Sequence, residues 1–271
     1  MTHDLQISRR LMLGGALALT SSLSLTFACK ASGQVSGQRN KTVFIIARGA
    51  MDGLSVVVPY GDANYQRLRG NIAIAAPGQA EGALAISDGF GLHPALQTFH
   101  TLHGQGQLRI APAVAIPTRI RSHFDAQDVL EGGLSTTARS ADGWLNRAVA
   151  ASGERGLSIG SQTPLVMRGA AETSSWAPGG QVGPEDRVAQ QLMDLYADDP
   201  LLGPALARGL DTGAQAMLTG DGARIGRNDS EALAQAVARL MVGPDGSDIV
   251  ALSLDGWDTH ARQIPLIRTR L

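Results

Sequence analysis

Thr42–Ala47 reads TVFIIA, an uncharged run rich in β-branched side chains, and residues 248–254 read DIVALSL. Continuous apolar runs of this length are the pattern of strands buried on both faces, as in a parallel sheet covered by helices. The first run passes into Arg48-Gly-Ala-Met-Asp52-Gly53, the second into Asp255-Gly-Trp-Asp258-Thr-His260. Glycine-containing loops that carry acids and a histidine just past such strands are where an open α/β sheet lines its ligand crevice.

Between these two runs the pattern alternates. Helical spacing is expected over residues 62–68, over 94–102 with Pro94 in the first turn, over 122–130 and over 144–151. Ser122 precedes the third of these, with Asp125 three residues on in capping-box fashion. Residues 108–114 read as a strand interrupted by Pro112, residues 165–167 as a short strand, and residues 185–240 as mostly helical around a glycine-rich stretch at 220–226. The chain has no internal repeat, heptad seam or low-complexity linker. Strands alternating with helices predict a three-layer α/β/α sandwich around a mostly parallel sheet.

Composition narrows the function classes. The 271 residues carry 23 basic and 24 acidic side chains, a net charge of −1, with 44% hydrophobic and 17% charged residues. That balance excludes a disordered polyelectrolyte and supplies no basic face for nucleic acid. Lys30 and Lys41 are the only lysines, so the arginines read first as compositional bias.

Ser8-Arg9-Arg10 precedes an uncharged stretch, residues 11–29, which Lys30 closes. A charged start, an apolar stretch and small residues near its end make a secretory signal, and the paired arginines resemble the twin-arginine signal. Gly14, Gly15, Thr20 and three serines make the stretch a poor membrane anchor, so cleavage between about Ala28 and Ser32 is expected. Residues 1–32 are then the signal, no stable span remains, and the product is periplasmic or secreted. Cys29 is the only cysteine, so no disulfide forms within the chain.

The candidate chemistry lies past the strands. If the runs at 42–47, 108–114 and 248–254 are neighbours, Asp52, Ser122, His123, Asp255, Asp258 and His260 converge on one sheet edge. Carboxylates with imidazoles form the ligand set of a hydrolytic Zn²⁺ or Mn²⁺ site. Ser122 at a helix N-terminus is set for an oxyanion or phosphate, with Arg119 and Arg121 close by in sequence as anion-binding cations. Each residue also has a plain structural role open to it. Asp52 before Gly53 suits a turn, Ser122 and Asp125 suit a cap, and His260 suits a bond to a loop carbonyl. His93 reads as loop packing, and His100 with His103 as a polar helix face. No nucleophile elbow or Walker loop is present.

Arg48-Gly-Ala-Met-Asp52-Gly-Leu, Gly91-Leu-His93-Pro-Ala-Leu96, Arg121-Ser-His123-Phe-Asp125-Ala, Asp142-Gly-Trp144 and Gly256-Trp-Asp258-Thr-His260, in this order over residues 42–262, resemble the exported bacterial family called domain of unknown function 1501. That family is similar to the alkaline phosphatase and sulfatase superfamily. The resemblance implies an alkaline-phosphatase-like sandwich and hydrolysis of a phosphate or sulfate ester. It implies Asp52, Asp258 and His260 as metal ligands, Ser122 as nucleophile, and His123 as ligand or partner. A second expectation on the same fold is an exported, non-catalytic binding or assembly protein. Family members continue past Gly-Trp-Asp-Thr-His through Glu-Phe-Gly-Arg-like and Asp-His-Gly-like segments, whereas only residues 261–271 follow here. The expectation is a truncated or frame-shifted chain that is incomplete at its C-terminus and inactive. Residues 263–271 then form an atypical tail in which Pro265 breaks the next helix, and the strand at 248–254 lacks neighbours.

Overall fold

The computed structural model describes residues 40–136, 140–160, 162–178, 186–217, 230–242 and 245–271. The expected signal at 1–32 and the glycine-rich stretch at 220–226 lie outside the described residues. Among the described residues no helix is long and apolar enough to cross a membrane.

The two long apolar runs form strands β1, Thr42–Ala47, and β7, Ile249–Leu254. They pair in parallel, Thr42 opposite Ile249 through Ala47 opposite Leu254. Two shorter strands, β5 (Gly156–Ile159) and β6 (Thr173–Trp176), complete a four-stranded, all-parallel sheet in the order β1-β7-β5-β6. Strand β7 is therefore central, with β1 on one side and β5 on the other, so the expectation that it lacks neighbours is overturned. A small antiparallel sheet, β2 (Val57–Val58), β4 (Phe90–Leu92) and β3 (Leu84–Ser87), holds the segment that follows β1.

Alternation along β7 explains the layers. Val250 and Leu252 join Leu157, Ile159 and Trp176 against the helices Leu202–Met217 and Ser230–Met241. Ile249 and Ala251 face the other way, with Phe44 and Ile46 of β1, onto Leu145, Val149, Val166 and Met167. Helices cover both faces, which is the α/β/α arrangement. The expected burial of β1 on both faces is not met: Phe44 and Ile46 are half-buried on one face, and the other face is open. Val43 is 43% and Ile45 59% exposed, since that face carries none of the packing helices at the sheet edge.

Other sequence expectations shift for local reasons. Residues 108–114 form no strand: Pro112 withholds an amide, and Ala113 adopts a left-handed φ of 57° that ends extended pairing. Residues 165–167 form a 3-10 turn. The last helix is not broken by Pro265. Gln263–Arg270 is helical because the proline occupies the first turn, where its amide has no intrahelical partner to lose. Ile267 is buried, and Arg268 pairs with Glu81 at 3.0 Å, so this segment packs as part of the unit Asn40–Leu271.

Candidate functional site

The parallel register of β1 and β7 brings their following loops together. Arg48 donates its amide to Leu254 O at 2.8 Å, and Trp257 N donates to Arg48 O at 3.0 Å. Gly49 runs against the Asp258 backbone at φ 105°, where a Cβ would stand 2.6 Å from Asp258 N. Only glycine accepts both that dihedral and that approach. Two of the three expected convergent loops thus meet at the carboxyl edge of the sheet.

Asp52 caps the short helix Gly53–Val56, accepting from Leu54 N at 3.2 Å and from Ser55 Oγ at 2.8 Å. Its Oδ2 also takes hydrogen bonds from Arg69 and Gln263, both of which reach Ser55 Oγ at 3.0 Å. Burial pushes the Asp52 carboxyl upward, but the Ser55 hydroxyl, the Arg69 guanidinium and the Gln263 amide outweigh it. They hold the group below its ordinary value. The carboxylate is committed to these three side chains and to Leu54 N.

Asp258 and His260 come together, Oδ1 to Nε2 at 2.9 Å, in a solvent-open pair with His260 85% exposed. Ser122 does what a cap residue does: its Oγ accepts from Asp125 N at 3.3 Å at the head of the helix His123–Gly132. His123 stacks on Phe124 at 4.1 Å, and Arg119 and Arg121 are exposed. No hydrogen bond or ion pair among the described residues joins Ser122 or His123 to Asp52, Asp258 or His260. The helix docks instead by its far end. Glu131, 1% exposed, binds Arg48 through Oε1 and accepts from Val166 N through Oε2 at 3.0 Å. At a rise of 1.5 Å per residue, Ser122 lies about 13 Å along the axis from that anchor.

The loop packing expected of His93 is met. His93 is buried, accepts from Ala95 N at 3.0 Å, and has its pKa lowered by burial and by Arg268 against a weaker opposing pull from Glu81. His100 Nε2 sits 2.9 Å from Ala85 O, tying its helix to β3. Arg48, Arg69, Glu131 and Gln263 were not nominated by the sequence. Arg48 and Gln263 flank the loops that were, and that proximity is the one local signal they carry.

A catalytic zinc takes three protein ligands and keeps one open position. The Asp258–His260 pair supplies an N and an O donor, whereas Asp52 faces a guanidinium and an amide. No group of three His, Cys, Asp or Glu residues among the described residues stands close enough to hold an ion. Among the described residues the nominated side chains do not fit a complete metal centre.

A doubly covered parallel sheet with acids and a histidine at its carboxyl edge defines the class as an α/β protein with an edge crevice. The chain belongs to the family described as protein of unknown function (DUF1501), whose model matches residues 39–269. Neither a curated protein nor a solved structure gives a match.

Proposed function

We propose that this chain is an exported relative of the metal-dependent phosphate- and sulfate-ester hydrolases, on an alkaline-phosphatase-like scaffold, whose hydrolytic centre is not assembled. The observation that supports this reading is the state of Asp52. It stands past the first strand, as a metal-binding aspartate of such an enzyme does, yet its carboxylate is saturated by Ser55, Arg69 and Gln263. Asp258 and His260 remain as a two-donor pair for Zn²⁺ or Mn²⁺, which binds such a pair weakly. Ser122, with Arg119 and Arg121, belongs to this reading as the hydroxyl and cations of an ancestral ester site. Its test is ester turnover with and without added metal, alongside a variant that frees Asp52, Gln263→Ala with Arg69→Ala. The parent chain is expected to turn over neither phosphate nor sulfate monoesters. Metal-dependent turnover by the parent chain would sink the proposal.

A non-catalytic binding role on the same scaffold is the second reading. It is favoured by an open cleft of about 710 Å³ on the other side of the β7 loop.

A further inference from the structure

That cleft lies at the carboxyl ends of β5 and β7, between the helices Ser230–Met241 and Gln263–Arg270. Its size falls in the range of small-molecule sites, and its position is the one where open parallel sheets take ligands. The lining divides by chemistry. Ile159, Leu233, Leu252 and Leu266 supply an apolar wall. Arg270 supplies a cation at the rim, oriented by the bond from Nη1 to Asp255 O at 3.0 Å, and Asp255, whose side chain forms no ion pair with it, is the acid of the lining. Its guanidinium lies over Gly256, where a Cβ would come within 2.3 Å of Nη2 and where φ is 87°. Glycine there keeps the cation on the backbone. Among the described residues no carboxylate side chain pairs with Arg270, in contrast to Arg268, which is bound to Glu81. A cation with no carboxylate side chain on it, beside an apolar wall, favours a ligand that brings both acceptor oxygens and hydrocarbon.

We propose that this cleft binds a small organic anion, an aromatic or branched apolar body bearing one phosphate, phosphonate or sulfate group, with Arg270 as the anchor for the anion. The Arg270 fork presents parallel N–H donors to two oxygens of the head group while the body lies against Leu233, Leu252 and Leu266. The inference goes beyond the hydrolase-like reading and stands apart from it, since none of these residues is one of the nominated metal ligands.

The test is calorimetric titration of the full chain in excess chelator, which removes any metal contribution. The probes are phenylphosphonate, whose C–P bond resists hydrolysis, methylphosphonate and inorganic phosphate. Phenylphosphonate binds one to one, and the other two bind about tenfold or more weakly because they lack the apolar body. Arg270→Gln weakens phenylphosphonate about tenfold or more, and Arg270→Lys weakens it less. Arg268→Gln, which removes the same charge from the same helix outside the cleft, leaves the affinity unchanged. Thr269→Trp fills the rim and abolishes binding in a chain whose melting profile shows it folded. Equal affinity for phosphate and phenylphosphonate, an Arg270→Gln chain that binds as well as its parent, or no binding up to about 10 mM would each overturn the proposal.

Discussion

Gln263, the first residue of the last helix, donates its side-chain amide to the carboxylate of Asp52, 211 positions earlier. One hydrogen bond thereby ties the end of the chain to the loop that follows the first strand. It also takes an acceptor site on the carboxylate nearest to metal chemistry by position. Arg69 takes another, with the two side chains of that ion pair only 16% and 19% exposed.

The charge on Asp52 therefore stabilises the fold. Asp52→Asn leaves Arg69 without its counter-ion, and unfolding in denaturant at neutral pH is expected to cost on the order of 1–3 kcal/mol less. The pH dependence has a definite sign. The folded carboxyl titrates below its ordinary value of 3.8, so as pH falls the unfolded chain takes up the proton first. The stabilisation is present above the unfolded value and is lost as pH falls through the folded one. The gap between parent and Asp52→Asn should shrink as pH drops from about 5 to about 2. A gap constant across that window would show that the ion pair contributes nothing.

Glu131 is the buried half of the Arg48 ion pair and the acceptor for Val166 N. Glu131→Ala strands a guanidinium and a backbone amide together, and is expected to destabilise by about 3–5 kcal/mol. Glu131→Gln keeps one acceptor for Val166 and should cost visibly less. Thermal melts of the two variants separate these effects; equal losses would mean the carboxylate charge is immaterial.

The long apolar runs made β1 and β7 legible as strands of a mostly parallel sheet, whereas their direct pairing with each other came from the structure. Strands β5 and β6 were not legible: GLSI and TSSW are four residues each and carry no period long enough to register. The segment at 108–114 misled in the opposite direction, since Leu108, Ile110 and Val114 alternate like a strand while Pro112 and Ala113 forbid one. Side-chain partners across the site were beyond local reading. Arg48 and Glu131 are 83 positions apart, and nothing near Asp52 announces Gln263.

Asp258 and His260 form an exposed N/O pair at 2.9 Å. Zinc titrated into the chain is expected to bind weakly, with His260→Ala abolishing the binding. His100→Ala should leave it intact, because that ring is engaged with Ala85 O. Loss of binding in both variants, or in neither, would remove Asp258 and His260 from consideration as ligands.

The paired arginines at positions 9 and 10 predict export of a folded chain. Residues 1 to about 40, fused to a reporter that must fold before crossing, should deliver it to the periplasm. Arg9→Lys with Arg10→Lys should hold it in the cytoplasm, and export that survives the double change would rule out the twin-arginine route.

The commitment of Asp52 to Arg69 and Gln263 is tested most directly by ester turnover in the full chain with Zn²⁺ or Mn²⁺ supplied. Release of 4-nitrophenol from its phosphate and sulfate esters should not rise above the metal-containing buffer, for the parent chain and for His260→Ala alike. Metal-dependent release by the parent that His260→Ala and Asp52→Asn each abolish would contradict the account, because it would make these residues members of a working hydrolytic centre.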